Sequence, residues 1–288
     1  MKLDNSIRAL LDIRVVGIFL KPNYKAIKPI YNSIKSYFES KDIEVLLDIS
    51  SANMIGDSSG SGFDEICKKS DILVSIGGDG TLISVARRSY EYERPILGIH
   101  LGTLGFLTDI TIEQLPVFID KLKQNEYLLE NRMMLDVCID DKSYVAFNDV
   151  VISRKSTSNI LTVDALINDK LFNSYNGDGV IIATPTGSTA YNLSVGGPLV
   201  YPFSNNFILT PIASHSLTQR PLVLPCEFII EFVVQDDNAV LSIDGQDNYK
   251  IDQNSKIKIK MANKKARLLH PKNRDYFKVL KDKLQWGN

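Results

Sequence analysis

The chain changes its hydrophobic rhythm once, near residue 126, and that change limits its possible architectures more than any other feature. Before it, short β-branched runs alternate with helical stretches. Val15–Leu20 (VVGIFL), 43–48 (IEVLLD), 71–76 (DILVSI) and 95–99 (PILGI) read as strands, with helical segments at 26–40, after Thr81 and at 112–124. Strands that alternate with helices are joined by crossovers and pair in parallel, which predicts a doubly wound α/β domain. After residue 126, strand patterns follow one another with only turns between them: 134–139, 142–152, Leu161–Ile167, 170–176, 179–184, 228–235, Ala239–Ile243 and Lys256–Met261. Asn168-Asp169 between two such runs is a hairpin signal, and Asp-Asp-Asn and Asp-Gly turns separate others. A mainly β domain is expected here. Residues 275–286 (DYFKVLKDKLQW) carry apolar positions at helical spacing. The expected domains are therefore 1–125, 126–265 and a closing segment 266–288.

At 288 residues and 44% hydrophobic, the chain has enough apolar material for two cores. Thirty-three Lys+Arg against 34 Asp+Glu leave a net charge of −1, which argues against nucleic-acid binding through a general basic field and against a polybasic membrane surface. Cys67, Cys138 and Cys226 stand singly, with no CxxC pair, so neither a zinc knuckle nor a disulfide framework is expected. Reduced thiols suit a cytosol. No run approaches 18 apolar residues, and the N-terminus carries charges where a signal peptide needs an apolar stretch, so a cytoplasmic location is expected. Residues 49–65 (ISSANMIGDSSGSGFDE) are rich in Ser and Gly and read as a surface loop able to act as a lid. Gly56–Gly60 fits G-x-S-x-G, but a nucleophile elbow needs a strand before it and a helix directly after it.

The strongest local signal is Gly77-Gly78-Asp79-Gly80-Thr81, set between an apolar strand and a helix. Glycines let a ligand approach the main chain, and the helix N-terminus presents N–H groups and partial positive charge, which suits phosphate. A carboxylate in such a loop would repel phosphate unless it takes a proton from an attacking hydroxyl or holds a metal. Asp79 as a mere turn or cap residue is an equal alternative at this point. The loop is neither G-x-G-x-x-G nor a Walker A motif.

A second concentration is NGDGVIIATPTGSTAYNLSVGG at 176–197. It holds Asp178, then Thr184, Thr186, Ser188, Thr189, Tyr191 and Ser194 among glycines. Hydroxyls and backbone N–H groups can bind ribose, base edges or phosphate without a cation, and Tyr191 offers a stacking face. Ordinary turn bonding is the bland alternative, and the density of the stretch counts against it. Asn148-Asp149, at a strand end, pairs donor with acceptor, but alone such a pair is also a common turn.

Taken in order, Gly77–Thr81, GTLGFL at 102–107, Asn148-Asp149, the run 178–197 and Asp244-Gly245-Gln246 strongly resemble the NAD kinases, which phosphorylate the adenosine 2′-hydroxyl of NAD to make NADP. The GSTAY run is the discriminating piece, since GGDGT also occurs in diacylglycerol and sphingosine kinases. The resemblance implies a Rossmann-like α/β N-terminal domain, a β-sandwich-like C-terminal domain, and a last helix packing back on the first. It implies Asp79 as the catalytic carboxylate, with Gly77, Gly78, Gly80 and Thr81 at the phosphate end. It implies Phe106, Asn148, Asp149, Asp178, Thr189, Ala190, Tyr191, Ser194, Ala213 and Gln246 as substrate contacts. ATP (or polyphosphate) as donor, magnesium on the donor phosphates, and a homodimer or homotetramer follow from the same likeness.

This chain departs from the family pattern in having Asp149 where Glu is usual, His100 where Asn is usual, and Ser84 where many members carry a polar residue such as Arg. His100, His215 and His270 are too dispersed for a metal site, and His100 and His215 read as satisfied core histidines. Tyr276, Phe277 and Trp286 read as packing residues. A lipid kinase of the diacylglycerol type and a non-catalytic dinucleotide-binding regulator are the rival readings.

Overall fold

The computed structural model describes residues 12–155, 160–237 and 239–286. The chain divides into two compact units: residues up to Asn131 together with the segment from Ala266, and the stretch Arg132–Lys265.

The first unit begins as a parallel α/β layer. Its elements are β1 (Val15–Leu20), α1 (Ile27–Glu39), β2 (Glu44–Leu47), α2 (Ile49–Ile55), α3 (Phe63–Lys69), β3 (Ile72–Gly77), α4 (Asp79–Arg88), β4 (Pro95–His100), α5 (Leu115–Lys123) and β5 (Tyr127–Arg132). β3 is buried along its whole length, as a strand covered on both faces must be. Ile27, Tyr31, Ile34 and Phe38 recur at helical spacing on α1 and fill the same core.

Residues 49–65 are not one long loop. Asp48 accepts hydrogen bonds from the Ser50 and Ser51 N–H groups at 3.1 and 3.2 Å, and this cap starts α2, which ends on Gly56 at φ 67°. Such a cap contributes about 1 kcal/mol, enough to turn a Ser-rich stretch helical against its propensity. Gly56–Gly60 therefore lies between two helices, without the strand a nucleophile elbow needs.

The second unit is a sandwich of two antiparallel six-stranded sheets. Its strands are β6 (Leu135–Ile139), β7 (Lys142–Ala146), β8 (Asp149–Arg154), β9 (Leu161–Ile167), β10 (Lys170–Gly177), β11 (Gly179–Ala183), β12 (Asn206–Ile212), β13 (Leu222–Pro225), β14 (Ile230–Val234), β15 (Ala239–Ile243), β16 (Asp247–Ile251) and β17 (Lys256–Met261), with a short helix, α6 (Tyr191–Ser194), after β11. One sheet has the order β10-β9-β14-β17-β6-β7, the other β13-β12-β11-β8-β15-β16. Alternate residues of both sheets (Val137, Val163, Phe232 and Ile257 from one; Val150, Ile152, Val180 and Leu241 from the other) interdigitate in one core. Asn168-Asp169 forms the tight β9–β10 turn with φ of 49° and 65°, the mirror-image geometry that suits the strand twist. The predicted strand 142–152 is two strands, broken at Phe147-Asn148.

The chain then returns to the first unit with β18 (Ala266–Pro271), which pairs parallel to β4, and α7 (Tyr276–Leu284), capped by Asp275. The completed sheet has the order β2-β1-β3-β4-β18-β5. Phe277 and Trp286, read as packing residues, are 65% and 51% exposed, and it is Val279 and Leu280 of α7 that are buried. At the foot of β18 lies a buried ionic quartet. His270 Nδ1 is 3.0 Å from Asp109 Oδ2 and its Nε2 is 3.2 Å from Glu130 Oε2, while Arg274 reaches Asp109 at 2.8 Å and Glu130 at 3.1 Å. Burial works against the His270 charge, but the Asp109 and Glu130 carboxylates outweigh burial and the opposing Arg274 charge, and its pKa is raised above 6.5. Asp109 is likewise disfavoured by burial, yet His270 and Arg274 hold its pKa below the usual value.

The His270 contribution to stability is thus full below pH 6.5 and is lost as pH rises through its raised pKa; that of Asp109 is lost as pH falls through its lowered one. His270→Gln is expected to flatten the alkaline limb of a melting-temperature profile and to cost about 3 kcal/mol at pH 6, measured by denaturant unfolding.

Candidate functional site

In the first unit the order β2-β1-β3-β4 reverses between β1 and β3, and ligands of such sheets bind outside the carboxyl ends of the strands at that reversal. The Gly77–Thr81 loop leaves β3 at this point, and Lys21 leaves β1 beside it, its N–H donating to the Ile76 carbonyl at 2.8 Å. Gly77 has no room for a side chain: a Cβ would lie 2.3 Å from Thr81 Oγ1 and 3.0 Å from Lys21 Cβ. Helix α4 begins at Asp79, two residues earlier than expected. Lys21 escaped the sequence reading because nothing local marks it; only the strand order brings it to the loop.

The Asp79 carboxylate points to the loop after β4. Its Oδ1 accepts from Leu107 N–H at 3.1 Å, Thr108 N–H at 3.1 Å and Thr108 Oγ1–H at 3.0 Å; its Oδ2, among the described residues, accepts only from Phe106 N–H, at 2.8 Å. Each carboxylate oxygen has about two acceptor sites, so Oδ1 is filled while Oδ2 keeps a lone pair. Gly105 permits the approach, since a Cβ there would meet Asp79 Oδ1 at 2.0 Å. The turn-residue alternative is thereby met in part, because Asp79 does organise a loop, but with one oxygen left able to accept. His100, half-buried, places its Nδ1 3.0 Å from the Gly102 carbonyl and shapes the same loop.

In the second unit the site lies on the outer face of the β13-β12-β11-β8-β15-β16 sheet. Val151, Ile181, Ala183, Ile208 and Ile212 form an apolar patch there, covered by Val195 and Val200 of the segment after β11. Beside it a cleft of about 320 Å³ is lined by Asn148, Asp149, Val151, Ser153, Ala190, Tyr191, Ser242, Asp244 and Gly245. Asp149, Val151 and Ser153 alternate along β8, which is why one strand supplies three lining residues. Tyr191 is 47% exposed at the rim.

Several hydroxyls of the 176–197 run serve the loop itself. Thr184 Oγ1 donates to the Phe147 carbonyl and accepts from Gly187 N–H, Ser188 Oγ donates to the Val200 carbonyl, and Thr189 Oγ1 donates to the Thr186 carbonyl. A Cβ on Gly187 would press to 2.1 Å from the Asn148 carbonyl, so this glycine clips the run onto the Asn148-Asp149 turn. Ordinary turn bonding accounts for more of the hydroxyls than their density suggested.

The remaining expected contacts lie elsewhere on this face. Asp178 precedes β11 and ion-pairs with Arg154 at 2.8 Å, and its N–H donates to the Ile212 carbonyl next to Ala213, which has φ 43°. The β8–β11 register puts this group about 16 Å along the strands from Asp149. Ser194, Ala213 and Gln246 are exposed and outside the cleft lining. His215 is exposed as well, not the core histidine expected.

Asp244 is the residue whose part sequence reasoning missed. It sits in the β15–β16 turn at φ 52°, and its carboxylate accepts from three successive N–H groups: Phe147 at 2.8 Å, Asn148 at 2.6 Å and Asp149 at 3.0 Å. Burial, and then the Asp244 charge, push the Asp149 carboxyl up to about 7. Among the described residues, no cluster of three or more His, Cys, Asp or Glu side chains could hold a metal ion. No helix among them is long and apolar enough to cross a membrane.

Because its folded pKa is raised, Asp149 adds stability that is full below its ordinary 3.8 and is lost as pH rises toward 7. Asp149→Asn is expected to stabilise the free protein at pH 8, by at most about 4 kcal/mol for a shift of some three units. Denaturant unfolding at pH 5 and pH 8 measures the effect.

Residues 16–127 match the model of the ATP-NAD kinase N-terminal domain, and residues 147–271 that of the ATP-NAD kinase C-terminal domain. The chain is 47% identical to an NAD kinase of Sulfurimonas denitrificans over 99% of its own length and 100% of that protein's. It is 44% identical to an NAD kinase of Campylobacter jejuni over 96% and 97%. Among solved structures, an NAD kinase from Archaeoglobus fulgidus in complex with ATP aligns at a TM-score of 0.76 with 26% identity, over 95% of this chain and 99% of that one. A yeast NADH kinase complexed with NADH aligns at 0.86, over 96% and 89%; at 24% identity that likeness is one of fold.

Proposed function

The chain belongs to the NAD kinase family, and from that premise we propose that it transfers the terminal phosphoryl group of ATP to the adenosine-ribose 2′-hydroxyl of NAD, with Asp79 taking the hydroxyl proton. The observation that carries this assignment is the divided carboxylate: Oδ1 is filled by three donors, and Oδ2, held by one amide, retains a lone pair for a hydroxyl. A base fixed in this way loses little freedom when it meets its substrate.

Around it, the Gly77–Thr81 loop and the start of α4 receive phosphate through backbone N–H groups, and Lys21, which leaves β1 beside Gly77, adds a cationic side chain. Asn148, Asp149, Ala190 and Tyr191 of the cleft bind the nucleoside, with Tyr191 stacking on a ring and Asn148 offering donor and acceptor. Asp178, Thr189, Ser194, Ala213, Phe106 and Gln246 complete the dinucleotide contacts when substrate is bound. An Asp149 carboxyl with a pKa near 7 is partly protonated in neutral solution and can donate as well as accept. Magnesium is assigned to the donor phosphates as part of the substrate, where it would supply charge neutralisation; among the described residues no side-chain cluster forms a cation cage. A homo-oligomeric assembly and a cytoplasmic location accompany this reading.

Asp79→Asn tests it. A base contributes typically about 10² to 10⁴-fold, so NADP formation from NAD, ATP and magnesium should fall by that factor while calorimetry still detects NAD binding. Near-normal turnover would remove Asp79 from the proton-accepting role. A wild-type protein that binds NAD tightly and forms no NADP would instead favour a dinucleotide-binding regulator.

A further inference from the structure

Phe106 is gripped through both polar groups of its backbone. Its N–H donates to Asp79 Oδ2 at 2.8 Å, and its carbonyl accepts from Arg274 Nη2 at 2.7 Å. Arg274 stands in the turn after β18, where its own N–H donates to the Pro271 carbonyl. Its side chain is 2% exposed, and the guanidinium is committed in three directions: Nε to Asp109 Oδ2, Nη1 to Glu130 Oε1 and Nη2 to the Phe106 carbonyl. Nε and Nη1 alone would match the two carboxylates. The third bond adds nothing to the charge balance of the quartet, yet it reaches the loop that holds Asp79. Asp109, three residues beyond Phe106, is held at the same place by His270 as well as Arg274, so the far end of the loop is also fixed. Lys283 of α7 sets its ammonium 5.8 Å from the centre of the Phe106 ring.

We propose that Arg274 is a positioning residue: acting through the Phe106 backbone, it holds the amides that aim Asp79, and the β18–α7 segment thereby sets the geometry of the acceptor site. This rests on the reading of Asp79 as the proton acceptor. A planar fork with fixed donor directions can bridge two carboxylates and a carbonyl at once, whereas a lysine ammonium on a flexible stem cannot hold all three in one plane. Misplacing a reacting group by about 1 Å can cost on the order of 100-fold in rate, so a loosened loop should appear in turnover before it appears in binding.

The test compares three full-length variants with the wild type: Arg274→Lys, the charge-balanced double Glu130→Gln/Arg274→Gln, and Asp79→Asn. The double removes one cation and one anion, leaving the His270–Asp109 pair intact, and so guards against simple unfolding. Each is measured for melting temperature, kcat and KM for NAD, and hydrogen exchange of the Phe106, Leu107 and Thr108 amides. In the two Arg274 variants, exchange at these amides should rise by at least about 10-fold. Their kcat should fall by about 10- to 100-fold with KM for NAD changed by less than about 3-fold, Arg274→Lys being the milder. Unchanged protection in the folded double variant overturns the proposal whatever its activity. Lost protection with wild-type kcat also overturns it. In that case Asp79→Asn shows where the fault lies: if that variant is inactive, Asp79 is catalytic but needs no aiming by Arg274, and if it is active, the reading of Asp79 itself has failed.

Discussion

Everything proposed for the first unit depends on one set of hydrogen bonds, those from the 106–108 backbone and the Thr108 hydroxyl to the Asp79 carboxylate. They explain how a glycine loop proposed to receive phosphate tolerates an acidic residue in its midst. The carboxylate faces a row of amide dipoles, whose partial positive charges oppose its own. They also explain why Gly105 has no side chain, and why the loop after β4 folds back toward the start of α4 at all.

The second unit uses the same device for a different end. Asp244, in a tight turn, accepts from the N–H groups of 147–149, as Asp79 does from those of 106–108. In each unit one aspartate, at the first turn of α4 or in the β15–β16 turn, collects three consecutive amides and so fixes a segment that bears expected ligand contacts. The consequences for charge differ. Asp79 has an oxygen with a spare lone pair, whereas Asp149, buried beside Asp244, is driven toward neutrality. Two carboxyl groups in different surroundings can thus divide the work, one accepting a proton and the other contacting the nucleoside in either protonation state.

Much of this was legible in the sequence because it is written locally. The alternation of strands and helices before residue 126, the glycine loop directly after an apolar strand, and the hairpin at Asn168-Asp169 all depend on neighbours within a few residues. One error was local: the Asp48 cap, overlooked in a Ser-rich stretch, turned residues 49–55 from loop to helix. The others arose where distant residues decide. β18 looked like no part of an α/β domain, because its parallel partner β4 lies some 170 residues earlier. The hydroxyls of the GSTAY run read as ligand groups because composition cannot distinguish a free hydroxyl from one spent on Phe147 or Val200. Lys21, Asp244 and Arg274 carry no local signature: strand order brings Lys21 to the loop, and a turn and a buried quartet far along the chain place the other two.

The central claim is that Asp79 Oδ2, with Phe106 N–H still bound to it, receives the ribose 2′-hydroxyl. A crystal structure of the protein with NAD and a non-hydrolysable ATP analogue tests this most directly. The account predicts the 2′-hydroxyl oxygen within about 3.2 Å of Asp79 Oδ2, with the amides of 106–108 in place. A 2′-hydroxyl bonded to Asp149 instead, or one out of reach of any carboxylate while the loop stays closed, would contradict it.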